Sequence, residues 1–331
     1  MDRKAYAMGD THPMLQRFGK RRMQQVLVLA GLLLVFLIIH FATNFRFLTG
    51  RNMGIIVSHA VIPTFITWGL IFSFTSGMID LSIGSIVVLA SNFAGILGLK
   101  FGYVGLILGG LVAGVLLQAL NGFVFLKTKI PPWVAGLGMA MIYESIGAVY
   151  STAAVRSGGM VVSLGSQLRG LGQLPFNVLM LVPGLIAVYI LFCRTSIGLN
   201  VRAVGSDLRV TKEMGIDPNR AKFLSMLVCG VFIGLGSAIN QSYVGQLLPR
   251  TGLTTVSTIF QPLTAVLIAS SMGAIFNVVI GVVIGTISLS ALFNALTLLG
   301  VPSGTWQEVV LGMLVIAVTI VSMRGEEGVV K

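Results

Sequence analysis

Long apolar runs separated by short polar intervals dominate this sequence. A helix needs about 20 apolar residues to cross the hydrocarbon layer of a bilayer, and on that rule the pattern predicts ten spans. They are 24–43, 54–73, 83–99, 102–126, 133–152, 176–193, 222–246, 256–273, 274–299 and 305–322. The first run is longer than the apolar core of a signal peptide, which has roughly 7–15 residues. We interpret it as an uncleaved first helix.

The pattern therefore predicts an all-α polytopic membrane protein with three parts. Residues 1–23 form a polar arm, residues 24–322 form the membrane domain, and residues 323–331 form a tail. Within the membrane domain, the longest polar interval is 194–222, which carries six Lys/Arg and three Asp/Glu in a chain with only 10% charged residues. We expect a partner from the aqueous phase to contact this interval.

Basic residues are distributed unevenly between the two predicted sides. With the arm in the cytoplasm, the predicted cytoplasmic segments hold 16 of the 22 Lys/Arg and the opposite segments hold the other 6. Cytoplasmic loops of membrane proteins carry such an excess. The distribution therefore predicts that both termini and the 194–222 interval are cytoplasmic.

Composition supports the membrane class. The 331 residues are 55% apolar, and the mean hydropathy is +0.95, whereas soluble domains contain about 25% charged residues. The net charge of +12 is then explained by the cytoplasmic bias and by contact with anionic membrane lipid rather than by nucleic acid.

Glycines recur at the spacing that lets membrane helices approach closely. The pairs are Gly105/Gly109, Gly110/Gly114, Gly230/Gly234 and Gly281/Gly285. Helices in lipid associate through such small residues, because no hydrophobic force drives them together. We predict helix packing at these pairs; a solute path between the glycine-lined helices is the alternative.

Six polar residues inside or beside the apolar runs are candidates for a gate or a translocation path. They are Asp80, Ser82, Asn121, Glu144, Asn240 and Asn294. An ionisable side chain at the centre of a span costs about 2.5–3.5 kcal/mol on insertion scales, so we expect Glu144 to face the bundle interior or water. For Asp80, a capping or interhelical hydrogen bond is the structural alternative to a gate.

No enzyme signature is present. The three histidines, His12, His40 and His59, form no His-Glu-x-x-His pattern, and the chain has no Gly-x-Ser-x-Gly turn and no Walker A loop. Cys193 and Cys229 lack metal-ligand spacing. We therefore predict that this chain is not an enzyme and that it binds no cofactor and no metal. An ion-coupled secondary carrier stays open as another class.

Several motifs resemble those of a known family. Thr75-Ser-Gly-Met-Ile-Asp-Leu-Ser-Ile-Gly-Ser85 is close to Gly-Gly-Ile-Asp-Leu-Ser-Val-Gly-Ser in the permeases of ribose-type (carbohydrate uptake class 2) ABC importers. The segment 44–52 is similar to their Asn-Phe-Leu-x-x-x-Asn, and 203–207 to their Ala-x-Gly-Gly-Asn. The resemblance covers nearly the whole chain, and branched-chain amino acid permeases are more distant relatives.

The resemblance implies a type II-importer-like permease in the bacterial inner membrane. It implies a second permease subunit, either a copy or a paralogue, and a cytoplasmic ATPase whose two nucleotide domains hold ATP and magnesium. It also implies a periplasmic or lipid-anchored sugar-binding protein. The expected solute is a monosaccharide or a related small polar solute; a nucleoside, an amino acid or a furanose signal molecule is the alternative.

For the 194–222 interval, the resemblance implies coupling to the ATPase through short helices. The residues that carry this expectation are Gly198, Gly205, Ser206, Asp207, Arg209, Lys212, Glu213 and Gly215.

The chain also departs from the family pattern. Leu208 stands where the family has Glu, Glu144 stands where it often has Arg, and 257–261 lacks an expected acid. Ala269-Ser-Ser-Met272 also replaces the family's late Gly-Gly-Thr-Ser-Leu turn. These departures suit one half of a heterodimeric channel.

Overall fold

A computed structural model describes residues 13–156, 162–273, 275–302 and 304–327. The predicted arm and tail therefore lie partly outside the described residues. Twelve α-helices occur in these ranges, and their only β geometry is one bridge between Ser163 and Gln246. The helices are α1 Pro13–Ala42, α2 Gly50–Thr75, α3 Ile83–Thr128, α4 Pro132–Arg156, α5 Phe176–Leu179, α6 Leu181–Cys193, α7 Ser196–Ser206, α8 Leu208–Glu213, α9 Pro218–Val244, α10 Phe260–Ser271, α11 Val278–Leu298 and α12 Thr305–Glu327.

The all-α membrane class is confirmed. Among the residues that the structure describes, six helical stretches are long and apolar enough to cross a bilayer, and two more, Val256–Ser271 and Trp306–Ile320, are apolar but shorter. Each of the ten predicted spans contains helix. Helix α1 begins within the predicted arm, and α12 continues into the predicted tail.

Helix α3 is a hairpin of two antiparallel halves. Its backbone breaks at Gly102, with φ 66° and ψ −149°, a conformation that glycine adopts without steric cost. Across the break, a Cβ on Gly109 would lie 3.1 Å from the Cα of Ala94, although 15 residues of straight helix would separate these positions by about 22 Å. The two halves correspond to the separately predicted spans 83–99 and 102–126.

Glycines join this hairpin to α9. A Cβ on Gly114 would lie 2.5 Å from the carbonyl oxygen of Gly230, and one on Gly234 would collide with the carbonyl of Gly110. The predicted packing role of the glycine pairs is thereby confirmed, because backbone fills the space that a path would need. Gly281 packs in the same way on Ala269 of α10.

The helices form two similar sets that run in opposite directions. The set α2–α3–α4 has a long helix, a non-helical connection, a glycine-packed hairpin and a final helix. The set α9–α10–α11–α12 repeats that order. Helices α2 and α9 are antiparallel, since Ser76 after the end of α2 contacts Ser225 near the start of α9 at 2.8 Å between hydroxyl oxygens.

The predicted span 256–273 is helical from Val256 to Ser271, although this stretch is short. A 3₁₀ turn, Val256–Ile259, leads into α10, whose 12 residues extend about 18 Å. The turn adds about 8 Å, so the stretch falls slightly short of the hydrocarbon layer, which is about 30 Å thick. The chain reaches it through 246–255, a segment that contains no helix.

We expect Gly234→Ala to destabilise the protein, because the added methyl group meets the backbone of Gly110 and Leu111. Overpacking of this kind costs about 1–3 kcal/mol. Thermal unfolding of the full chain in detergent measures the effect. Gly31→Ala is the control, since a Cβ there meets nothing within 4 Å. Equal melting temperatures for both variants would contradict the packing model.

Candidate functional site

Asp80 is the centre of a buried hydrogen-bond network. Its Oδ1 accepts from the backbone N–H and the hydroxyl of Ser82 at 2.8 and 2.7 Å. Its Oδ2 accepts from Asn121 Nδ2 at 2.7 Å and from Gln118 Nε2 at 3.2 Å. Asp80, Ser82 and Asn121 are completely buried. Three of the six path candidates therefore form one cluster that ties the α2–α3 connection to the second half of α3.

Helix α4 closes this cluster. The Tyr143 hydroxyl donates to Asn121 Oδ1 at 2.7 Å, and a Cβ on Gly136 would lie 2.9 Å from Asp80 Oδ1. Gln118 and Tyr143 were absent from the predicted set. Gln118 had a signal, because it precedes Asn121 by three residues and therefore shares its helix face.

Glu144 binds the backbone of the non-helical segment before α10. Its Oε2 accepts from the N–H of Leu253 at 2.8 Å, and its Oε1 accepts from the N–H and the hydroxyl of Thr255 at 2.9 and 2.7 Å. The carboxylate is only 3% exposed. As predicted, Glu144 faces the bundle interior, where it supplies acceptors to a segment that has no helical hydrogen bonds.

Distances along α3 place these contacts deep in the bundle. From Gly102 to Thr128, the second half of α3 extends about 39 Å at 1.5 Å per residue. Tyr143 contacts the carbonyl of Leu117, about 17 Å from the Thr128 end on the same scale. Glu144 follows Tyr143 on α4, so the Leu253–Thr255 backbone lies near the middle of the bundle.

Asn294 forms a closed amide pair with Asn52. Each Nδ2 donates to the other residue's Oδ1, at 2.8 and 3.0 Å, and Asn52 also donates to the carbonyl of Phe47 at 2.7 Å. The pair joins α2 to α11. A path role for Asn294 stays a prediction, while its visible role is interhelical contact.

Asn240 lines a cavity of about 490 Å³ between the two helix sets. Its Nδ2 lies 3.5 Å from the Ser91 hydroxyl, at the outer limit of a hydrogen bond. The cavity wall is partly apolar, with Pro63, Ile66 and Val87. Asn240 thus differs from the tightly bonded candidates described above.

The 194–222 interval folds into two short helices, α7 and α8. Asp207 caps α8, accepting from the N–H of Arg209 at 2.7 Å, and Asp217 caps α9 in the same way through Asn219 at 2.9 Å. A Cβ on Gly205 would collide with the carbonyl of Thr75. The C-terminal end of α7 therefore rests on the last residue of α2.

Several connections meet at this end of the bundle. Gln25 Nε2 in α1 donates to the carbonyl of Ile275 at 2.7 Å, and Asn277 Nδ2 lies 3.3 Å from Cys193 Sγ. The start of the apolar stretch of α1, the α10–α11 connection and the end of α6 thus lie beside α7 and α8. We call this end of the bundle the α7–α8 end.

Helix α4 presents polar residues on an outward face. Ser145, Thr152 and Arg156, with Thr251, line an open groove of about 780 Å³. Val149, in the same groove, is 71% exposed. Hydroxyl groups gain nothing from contact with lipid, so this face fits water or another protein chain better than hydrocarbon.

Comparison with known proteins gives a family match. The family model described as the permease component of branched-chain amino acid transport systems matches residues 52–319. The ribose import permease protein of Bacillus subtilis is 26% identical over 307 residues, covering 91% of this chain and 94% of that protein. No solved structure matches.

Two further relatives come from Escherichia coli K12. The D-allose transport system permease protein is 27% identical over 276 residues, covering 82% of this chain and 83% of that protein. The xylose transport system permease protein is 22% identical, covering 89% of this chain and 90% of that protein.

We expect Asp80→Asn to lower the melting temperature. Both Asp80 oxygens accept hydrogen bonds, and the variant would replace one of these acceptors with an NH₂ group that faces other donors. An unmet buried hydrogen bond costs about 1–3 kcal/mol. Asp217→Asn is the matched control, since Asn caps a helix as well as Asp does. Thermal unfolding in detergent compares the two, and equal stability would show that the network tolerates a donor at Asp80.

Glu144→Gln should loosen the Leu253–Thr255 backbone, since one carboxylate acceptor becomes a donor. Hydrogen exchange of a peptide covering 247–260 measures this local opening. We expect about tenfold faster exchange, the effect of roughly 1.4 kcal/mol. The exposed Glu213→Gln is the control. Unchanged exchange in Glu144→Gln would contradict the assigned contact.

Proposed function

This chain belongs to the family of permease components matched above, and on that premise we propose that it is the transmembrane subunit of an ATP-driven ABC importer in the bacterial inner membrane. It is a transport subunit and not an enzyme. The proposed solute is a monosaccharide or a related small polar solute, because the relatives are named for ribose, allose and xylose transport. A nucleoside, an amino acid or a furanose signal molecule is the alternative within the same fold.

The observation that carries the proposal is the contact of α7 with α2. The chain has no Walker A loop, so work from ATP must reach it mechanically. Helices α7 and α8 form an exposed polar element whose Gly205 touches the carbonyl of Thr75. Five residues later, Asp80 connects α2 to α3 and, through Asn121 and Tyr143, to α4. These contacts connect α7 to α4 without a break, so a displacement of α7 is transmitted to α4.

The exposed surface of α8 is the proposed contact with the ATPase. Leu208, Val210 and Met214 are exposed apolar side chains beside Lys212 and Glu213. Leu208, where the family has Glu, makes this surface more apolar. Apolar side chains surrounded by charge are typical of a docking patch, and we propose that a partner ATPase covers it.

We propose an orientation from charge. The 194–222 interval, which folds at the α7–α8 end, carries six Lys/Arg, and cytoplasmic loops of membrane proteins carry such an excess, so we propose that this end faces the cytoplasm together with both termini. The chain then crosses the membrane ten times, with the non-helical segment and α10 together forming one crossing. The opposite end faces the binding protein that delivers the solute.

A second permease subunit completes the channel in this proposal. The polar face of α4, with Ser145 and Thr152, would line the path between the two subunits. ATP binding brings the two nucleotide domains of the ATPase together, and α7 and α8 transmit this motion. The two permease subunits then open toward the loaded binding protein. Hydrolysis then resets the channel. A homodimer and a heterodimer are both compatible with this arrangement.

Uptake by the reconstituted importer tests the function. Proteoliposomes containing the two permease subunits, the ATPase and the binding protein should take up radiolabelled D-ribose, D-xylose or D-allose only with ATP inside. Omission of the ATPase should abolish uptake. Proton-driven uptake by this chain alone would instead indicate an ion-coupled carrier.

The same preparation tests whether the exposed surface of α8 contacts the ATPase. The double variant Lys212→Glu/Glu213→Lys should lower co-purification with the ATPase and substrate-stimulated hydrolysis, because both side chains are exposed on α8. Lys100→Glu, an exposed charge at the opposite end, is the control for co-purification. Full co-purification and stimulation in the double variant would contradict the role of α8.

A further inference from the structure

The cavity beside Asn240 combines apolar walls with a set of polar side chains. Its volume of about 490 Å³ lies within the range of small-molecule sites, about 300–1,000 Å³. Six polar residues from α9, the start of α10 and α12 line it. They are Asn240, Ser257, Thr258, Gln261, Gln307 and Glu308.

The amides in this cavity are poorly satisfied by the protein. Gln261 Nε2 lies 3.5 Å from the Ser290 hydroxyl, as far as Asn240 Nδ2 lies from Ser91. The Asp80, Glu144 and Asn294 side chains instead make hydrogen bonds of 2.7–3.2 Å. Both amides are only partly buried, and their long contacts leave hydrogen-bonding capacity that a polar molecule in the cavity can use.

The cavity lies at the depth of the Glu144 contact. Gly84 and Val87 of α3 line it, and Gly84 also touches the carbonyl of Thr255, whose N–H binds Glu144. By holding Thr255, Glu144 fixes the turn that presents Ser257 and Thr258 to the cavity. From this depth the polar lining extends toward the end of the bundle where α9 ends and α12 begins, since Asn240 is four residues from the end of α9 and Gln307 lies in the first turn of α12.

The lining chemistry matches a neutral polyhydroxylated molecule. Amides and hydroxyls both donate and accept, as sugar hydroxyls do, while Pro63, Ile66 and Phe293 offer apolar surface to the C–H faces of a ring. Glu308 is an acceptor for a hydroxyl proton. The cavity lining includes no Lys or Arg, which disfavours an anionic solute.

We propose that this cavity is a solute-binding site contained within a single permease chain, specific for a neutral polyhydroxylated solute of monosaccharide size. Transport then includes a binding step inside the subunit, in addition to passage between two subunits. The choice of solute rests on the proposed importer function; the existence of the site rests on the cavity and on its two amides with only long contacts.

Saturation-transfer NMR tests the site with the full chain in lipid nanodiscs, without ATPase or binding protein. D-ribose, D-xylose and D-allose are the probes, and L-arginine is the cationic comparison. We expect saturable binding of at least one sugar and none of L-arginine. Saturable binding of L-arginine alone, or of none of the four, would overturn the proposal.

Three variants locate the binding. Asn240→Ala and Gln261→Ala should each weaken it about tenfold, and Val88→Phe, which fills the cavity, should abolish it. Gln173→Ala, an exposed amide elsewhere, is the control, and melting temperatures verify that each variant is folded. Sugar binding that survives both Gln261→Ala and Val88→Phe would place the solute elsewhere.

The import assay separates this inference from the function on which it rests. ATP-driven sugar import by the complete transporter, with no sugar binding by the isolated chain, overturns the cavity site and leaves the importer intact. Absence of ATP-driven import, with sugar still bound in the cavity, overturns the importer and leaves the site intact.

Discussion

A bilayer cannot hydrogen-bond exposed backbone, and this constraint explains the most unusual part of the structure. The segment before α10 is non-helical near mid-bundle depth, where each unmet N–H would cost several kcal/mol. Glu144 accepts from Leu253 N–H and from Thr255 N–H. One buried carboxylate therefore satisfies the backbone just before the 3₁₀ turn that leads into α10, and residues of that turn line the cavity.

Hydrogen-bond satisfaction separates two kinds of intramembrane polar residue. The Asp80 oxygens each have short contacts to donors, and Asn294 is fully engaged by Asn52. Such groups hold helices together. Asn240 and Gln261 have only contacts at 3.5 Å, so they retain capacity for a solute. Residue type alone does not distinguish these cases, because asparagine occurs in both.

The sequence predicted what depends on local pattern. The two halves of α3 were separable because Lys100 stands between the apolar runs 83–99 and 102–126, and the glycine pairs identified the packing surfaces of α9. The predicted span 256–273 agrees with the helical stretch Val256–Ser271, but the pattern did not predict that it starts as a 3₁₀ turn. The contacts of Glu144 with Leu253 and Thr255 just before that start join residues more than 100 positions apart, which a local pattern does not reveal. Likewise, Asn121 was identified, but its partner Tyr143 lies on another helix.

Equivalent connections in the two helix sets make different contacts. In the first set, the α2–α3 connection carries Asp80 and lies next to Thr75, which touches Gly205 of α7. In the second set, the α9–α10 connection carries Leu253 and Thr255 and borders the cavity. Helix α4 contacts both connections, through Tyr143 on the Asp80 side and through Glu144 on the other. Adjacent residues of one helix make these contacts, so α4 connects the Asp80 network directly to the Glu144 contact. The cavity and the α7–α8 end are thereby linked through α4.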